Sequence, residues 1–401
     1  MPMRKPSGTT FGIHPDQTPV QGGAKPPLCP DLNQREQSDD AVGNAGQNFA
    51  ALIPAKVWAE QPLRSAKSVL ARYALCFLAT GVLCGLLGCA TETGVAKNNK
   101  GVAISQLDDR LRVEINGNLF TEYHFKNVPR PFLYPLIGAS GAGMTRNWPM
   151  KESPNEEHDH LHHRSFWFTH GDVNGHDFWT EHEGAGRIVH ARFDEITSGK
   201  NAGVIKSRNN WVSKVGKIIC TDEQTLRIYA LPDHERLFDF QITLHADHGD
   251  LNLGDTKEGT MAIRVAETMR VEKPISTKGA KPSRGEGQIV NSDGLRDGAA
   301  WGKRANWCDY SGPVDGKMVG IAFFDHPENP NYPTWWMVRE YGLFAANPFG
   351  RQAYENTPTK GDVKIPAGKS LTLRYRFFIH EGDEKQARVA QRYQEFLKAS
   401  E

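Results

Sequence analysis

From Val102 onward the hydrophobic residues recur at every second position, a pattern sustained over most of the remaining chain. A period of two puts alternate side chains on opposite faces of an extended strand, so such a segment buries one face of a sheet and reads poorly as a helix. LRVEING and NLFTEYHF alternate in this way around Asn116-Gly117, a dipeptide suited to the positive backbone angles of a tight hairpin. KIICTDEQTLRIYAL, RLFDFQITLHA, MAIRVAETMRV, MVGIAFFD and LTLRYRFFIH are further strands. The 39 glycines and 24 prolines supply the turns between them. No run of alternating strands and helices points to a Rossmann or barrel fold, and no fixed repeat is visible. The expected fold is all-β: a large antiparallel β-sandwich over residues 103–383. A helix is expected over residues 384–401, where Ala387, Ala390, Tyr393 and Leu397 fall near helical spacing behind acidic residues.

The front of the chain reads as an address. In RSAKSVLARYALCFLATGVLCGLLGC, residues 64–89, the cations Arg64, Lys67 and Arg72 precede an apolar run from Ala74 to Leu87. That run is short for a membrane-spanning helix. It ends in Leu86-Leu87-Gly88-Cys89, which resembles the lipobox of bacterial lipoproteins. The resemblance implies a signal peptide over 64–88, a lipid-modified Cys89 as mature N-terminus, and membrane attachment through its acyl chains. Ala90 after the cysteine is compatible with outer-membrane sorting, so the expected location is a periplasm-facing lipoprotein. Residues 89–102 read as a polar tether. Residues 1–63, rich in Pro, Gly, Gln and Asp, read as disordered or as an upstream extension created by a start set too early.

Charge narrows the partners. A formal net charge of +1 and no basic stripe argue against nucleic acid as a partner. Of six cysteines only Cys220 and Cys308 lie in the expected body, enough for one bridge or two buried thiols. Phosphate-loop spacing fails at Gly361 and Gly368-Lys369-Ser370, where six residues intervene and a strand follows.

The densest chemistry lies in HDHLHHRSFWFTHGDVNGHDFW, His158 to Trp179, which carries six of the fifteen histidines. Asn174-Gly175 predicts a two-residue hairpin turn, which opposes Val173 to His176, Asp172 to Asp177, His170 to Trp179 and Phe168 to Glu181. One face would then carry His162, Arg164, Phe166, Phe168, His170, Asp172, Asp177, Trp179 and Glu181. The other, with His163, Ser165, Trp167, Thr169, Phe178 and His182, would suit the core. A carboxylate beside an imidazole raises its pKa and sets its tautomer, as acid–base catalysis requires. His162, His170 and Asp177 are the acid–base candidates, Arg164 an anchor for an anionic group, and Trp179 a stacking surface for a sugar ring, with His163 beside it. A plain solvated face is one alternative. A metal site is the other: His158, His160 and His162 alternate and share one ion if extended, so one divalent metal is a candidate cofactor, although the acid–base reading requires none.

Three further segments carry candidate binding residues. LGDTKEGTMAIRVAETMR sets Asp255, Lys257 and Glu258 in a turn before a strand with Arg264 and Glu267. FFDHPENPNYPTWW contributes His326 and the pair Trp335-Trp336, of which Trp336 is taken as the pocket-lining member. WGKRANWCDYSG adds Arg304, and YGLFAANPFG adds Asn347.

Together with RPFLYPLIG and MTRNWPM, these blocks resemble the PmoA-like family of secreted bacterial proteins, from about Leu111 to Asp383. The resemblance implies a β-supersandwich similar to galactose mutarotase-like domains, and no settled activity. The family's label names a methane oxygenase, yet no segment after Cys89 is apolar for long enough to span a bilayer as a helix. The leading expectation is a lipid-anchored carbohydrate-active protein, an epimerase, lyase or hydrolase type of enzyme acting on a sugar. A non-catalytic sugar-binding lipoprotein and a His-ligated metalloenzyme, oxygenases included, are the alternatives.

Overall fold

The computed structural model describes residues 100–273 and 283–400. The expected signal peptide, Cys89, the expected upstream extension and nearly all of the expected tether lie outside them.

The expected antiparallel sandwich is the fold observed. One eight-stranded sheet runs, in spatial order, β1 (Val102–Gln106), β2 (Arg110–Ile115), β3 (Asn118–His124), β4 (Phe132–Leu136), β5 (Phe166–His170), β11 (Gly259–Arg264), β16 (Leu343–Asn347) and β15 (Trp335–Val338). The other runs β12 (Gln288–Asn291), β13 (Trp307–Val314), β14 (Lys317–Asp325), β18 (Ser370–Glu381), β9 (Glu235–His245), β8 (Ile218–Tyr229), β7 (Ala202–Val212) and β6 (Arg187–Thr197). A two-stranded ladder pairs β10 (Leu251–Leu253) with β17 (Val363–Ile365). Asn116 and Gly117 both take positive φ between β2 and β3, as their hairpin requires.

The core between the sheets follows from the period-two pattern. Phe166 and Phe168 on β5, Met261 and Ile263 on β11, and Phe238, Phe240 and Phe377 from the opposite sheet pack together there. Each sheet also covers part of its outer face. The C-terminal helix, Val389–Ser400, lays Val389, Tyr393 and Phe396 on Phe324 and Phe378. It starts five residues later than the periodicity suggested, because Arg388 adopts φ 54° and breaks the run, while Asp383 caps the preceding turn at the amides of Lys385 and Gln386.

The first sheet's outer face positions the candidate site. Phe132, Trp167, Ala262, Ala345 and Met337 stand directly opposite one another across β4, β5, β11, β16 and β15. Two alanines between large neighbours make a low floor, roofed by Trp179, Met150, Tyr341 and Tyr354. No helix among the described residues is long and apolar enough to cross a membrane. Cys220 and Cys308 are separate buried thiols, which removes the expectation of a bridge between them.

Candidate active site

Arg146 organises the histidine loop. Its amide bonds to the Arg264 carbonyl, which ties it to β11. Its buried guanidinium then donates to the carbonyls of Trp148 (3.0 Å), Glu157 (3.2 Å), Asp159 (3.1 Å) and His160 (3.2 Å) and to the Asp159 carboxylate. One planar cation therefore satisfies a run of irregular backbone that no strand or helix could pair.

Asp159 is the hub of this loop. Its carboxylate accepts from Arg264 Nη2 at 3.2 and 3.3 Å and from His160 Nδ1 at 2.5 Å. Burial alone would raise its pKa; the bond to His160 and the charges of Arg264 and Arg146 overcome that and hold it well below the ordinary carboxylate range. A second carboxylate layer lies behind, where Arg270 donates to both Glu157 and Glu267 at 2.7 Å.

His160 sits in the left-handed region at φ 42°, unusual for a side-chain-bearing residue and sustained here by its carbonyl bonds to Arg146 and the His163 amide. Its ring stacks in parallel on His163 (4.6 Å between centroids) and on Tyr341 (5.3 Å), and its side chain is 36% exposed. With Nδ1–H given to Asp159, the tautomer leaves a lone pair on Nε2.

His162 and His163 are neutral. Burial, followed by His160 and Arg130, lowers His162 to about 3. Burial, followed by the neighbouring imidazoles and Arg264, puts His163 well below its ordinary value. Arg264 Nη1 donates to His163 Nδ1 at 3.3 Å. Both rings meet Trp179 edge-on, at 6.1 and 6.0 Å. Arg164 makes a two-bond ion pair with Glu181, at 2.7 and 2.6 Å, and Arg130 lies 3.4 Å from the same carboxylate.

The hairpin expected from the sequence is correct at its tip and wrong beyond it. Asn174 and Gly175 both have positive φ, and Val173 pairs with His176. The ladder does not continue beyond the tip: β4 pairs only with Phe166 and Trp167 of β5, and farther along it is the Phe178 amide, not Trp179, that meets the His170 carbonyl, at 3.2 Å. On β5 the faces are also reversed, since Phe166 and Phe168 enter the inter-sheet core and Trp167 lies on the outer floor, while on the other arm Phe178 is in the core as expected and Trp179 on the opposite side. His170 therefore does not join His162. It is buried beside Phe349, donates Nε2–H to the Gly254 carbonyl at 2.8 Å, and is lowered to about 4 mainly by burial. Asp177 turns back on its own chain, accepting from the Trp179 and Thr180 amides, and its ionic partner is His182 at 3.2 Å. The raised imidazole pKa expected for the acid–base pair is replaced by lowered values.

The remaining candidates separate in the same way. Asp255 accepts the amides of Gln352 (2.7 Å) and Gly361 (2.5 Å), a structural clasp. Asn347 holds the Thr256 and Lys257 carbonyls at 2.8 and 3.2 Å, and Lys257 lies 3.6 Å from Glu258. Glu267 sits in a 3-10 turn after β11 rather than on the strand. Trp336 is core, with its indole N–H on the Ala305 carbonyl; Trp335 takes the outer face, covered by Arg304 at 4.7 Å. Arg304 spends its other donors on the carbonyls of Asn331, Tyr332 and Pro333. His326 packs on Phe396 of the C-terminal helix, on the outer side of the second sheet. What the sequence reading missed is Arg146, Tyr341 and the part played by Asp159; His160 was named only as a metal ligand and Arg264 only as a strand residue. The Asp159-His160 dipeptide was visible; the arginines and tyrosine come from distant segments.

A metal does not fit this cluster. Parallel rings send their in-plane lone pairs side by side, so His160 and His163 cannot converge on one ion, and Asp159 and Arg264 occupy their Nδ1 atoms. Among the described residues no group of three or more His, Cys, Asp or Glu is placed to hold a metal.

A family model matches residues 110–394, a span that contains this whole cluster. The chain belongs to the family of unknown function DUF6807. The blocks that resemble the PmoA-like family fall within the matched residues. No curated protein matches the DUF6807 chain in sequence. Among solved structures, the α-galactosidase from Lactobacillus brevis is 10% identical at a TM-score of 0.35, covering 72% of this chain and 41% of its own. The galactose mutarotase related enzyme from Lactobacillus acidophilus is 8% identical at 0.24, with 70% of this chain and 97% of its own covered. The 4-alpha-glucanotransferase from Thermococcus litoralis is 11% identical at 0.20, covering 70% of this chain and 38% of its own. The chain thus spans less than half the length of the first of these proteins.

Proposed function

We propose that this protein is a carbohydrate-active enzyme whose acid–base residue is His160, oriented by Asp159. The observation that carries the reading is the 2.5 Å bond from His160 Nδ1 to a carboxylate that Arg146 and Arg264 keep ionised. An imidazole with one nitrogen fixed by an anion offers the other as a proton acceptor and, once protonated, as a donor. Tyr341, half-buried and stacked on the His160 ring, supplies aromatic surface of the kind sugar rings stack on, whereas Trp179, expected from the sequence in that role, is buried. Epimerisation, elimination and hydrolysis all need such proton transfer. The finer parts of the reading, kinship with the PmoA-like family and lipid anchoring at Cys89 facing the periplasm, rest on the sequence motifs.

The test is turnover of a saccharide panel followed by NMR, with His160→Gln and Asp159→Asn as controls. Loss of turnover by roughly 100- to 10,000-fold in His160→Gln, with saccharide binding kept, is the expected result. Binding without turnover in the wild-type protein would make it a sugar-binding lipoprotein instead. Mass spectrometry of the native N-terminus, against Cys89→Ser, tests the anchor.

A further inference from the structure

The outer floor of the first sheet contains polar hydrogens that the protein itself does not use. Trp167 Nε1 and Thr260 Oγ1 are both buried and have no hydrogen-bond partner among the protein atoms. The two residues are 1% and 0% exposed. They are diagonal neighbours: Trp167 pairs with Ala262 and Thr169 with Thr260 in the β5–β11 ladder. Diagonal positions across a strand pair lie about 7–8 Å apart at their backbones, within the span of one small group once an indole reaches across. Arg264 Nε, two residues past Ala262 on the same face of β11, is a third such atom. Native folds leave few buried donors unpaired, and such an atom calls for a partner such as a water, an ion or a ligand. Between these donors the floor is made of Ala262 and Ala345, the smallest side chains that keep a strand surface.

The chemistry of the donors selects the ligand. An indole N–H and a guanidinium N–H only donate, so the matching group must accept. A carboxylate accepts at both oxygens and forms charge-assisted bonds, the strongest of this type. We infer that the floor around Ala262 is a subsite for the carboxylate of an acidic sugar, held by Trp167 Nε1 and Thr260 Oγ1. The inference rests on the carbohydrate reading above and names its substrate class as uronates.

Thr260→Val removes one unused hydrogen with little change of shape, and Trp167→Phe removes the other together with part of a buried ring. The probes are glucose, galactose, glucuronate, galacturonate and acetate, titrated against the full chain by thermal shift and NMR. The expected result has three parts. Uronates bind the wild-type protein at least tenfold more tightly than the neutral sugars. Both variants lose that preference. Thr260→Val, unliganded, melts at or above the wild-type temperature, because an unpaired buried hydroxyl has been replaced by carbon, whereas Trp167→Phe melts lower through its lost ring volume. Equal affinity for uronates and neutral sugars overturns the inference and leaves the carbohydrate reading intact. So does an unchanged uronate preference in both variants. A lower unliganded melting temperature in Thr260→Val overturns it as well, since its hydroxyl is then satisfied within the fold. Response to acetate but to no sugar, lost in Thr260→Val, retains the carboxylate subsite and removes the carbohydrate reading. No response to any probe overturns the inference.

Discussion

Asp159→Asn is the perturbation that most directly interrogates the site. The substitution keeps the side-chain shape and one acceptor oxygen but removes the charge. Arg146 and Arg264, both with side chains 0% exposed, then face a neutral amide. Breaking a buried ion pair by removing one partner costs about 3–5 kcal/mol. The retained oxygen, and the 31% exposure of Asp159, place the expected loss near the lower end, about 3 kcal/mol. The assay is equilibrium urea unfolding of the purified chain. The sign of the pH dependence follows from the depressed pKa of Asp159 in the fold. Its contribution is fully present above the unfolded value near 3.8 and is lost as pH falls below that value. The gap between wild type and Asp159→Asn is therefore flat from about pH 8 to about pH 5, and narrows by about 1.4 kcal/mol per unit below the unfolded value. Adding Arg264→Met to Asp159→Asn removes one stranded cation and recovers part of the loss. A cost under about 1 kcal/mol at neutral pH, or no recovery in the double variant, refutes the claim that Asp159 is the hub of the loop.

Other perturbations test separate parts of the fold. His162, lowered to about 3, stays neutral in the fold while the unfolded chain takes up a proton below 6.5, so its stabilisation is complete above 6.5 and declines as pH falls. His162→Asn should remove about 2 kcal/mol of the wild-type stability loss between neutral pH and about pH 5, read by paired unfolding curves; identical pH slopes would contradict it. Glu181→Gln strands Arg130 and Arg164 and should cost about 3 kcal/mol or more in the same assay, whereas an unchanged midpoint would show the pair to be surface-like. Gly175→Ala, at φ 79°, should destabilise by about 1 kcal/mol through its positive φ alone, measured as a lowered Tm with the near-UV spectrum retained.

The sequence by itself determined the strand-rich architecture, the hairpin turns at Asn116-Gly117 and Asn174-Gly175, and the C-terminal helix. Each is written locally, in a period of two, in residues that accept positive φ, or in helical spacing. It also singled out the histidine stretch as the candidate site. How its histidines are placed was decided by tertiary structure. FWFTH on β5 is buried along its whole length, so alternation could not say which face met the other sheet. Phe166 and Phe168 took that side because the aromatic residues of β9 and β18 lie opposite, and Trp167 was left for the outer floor. His170 went with the phenylalanines, out of reach of His162. Asp177 lost its expected partner because the hairpin ladder stops at its tip and the carboxylate turns back to the Trp179 and Thr180 amides. Asp159 and His160 became a dyad only when Arg146 wrapped their carbonyls and Arg264 arrived from β11, more than a hundred residues away in the chain. Turns and strand patterns are local physics and are legible in order along the sequence. A buried charge network depends on which distant cations the sheet register delivers, and that register exists only in the folded protein.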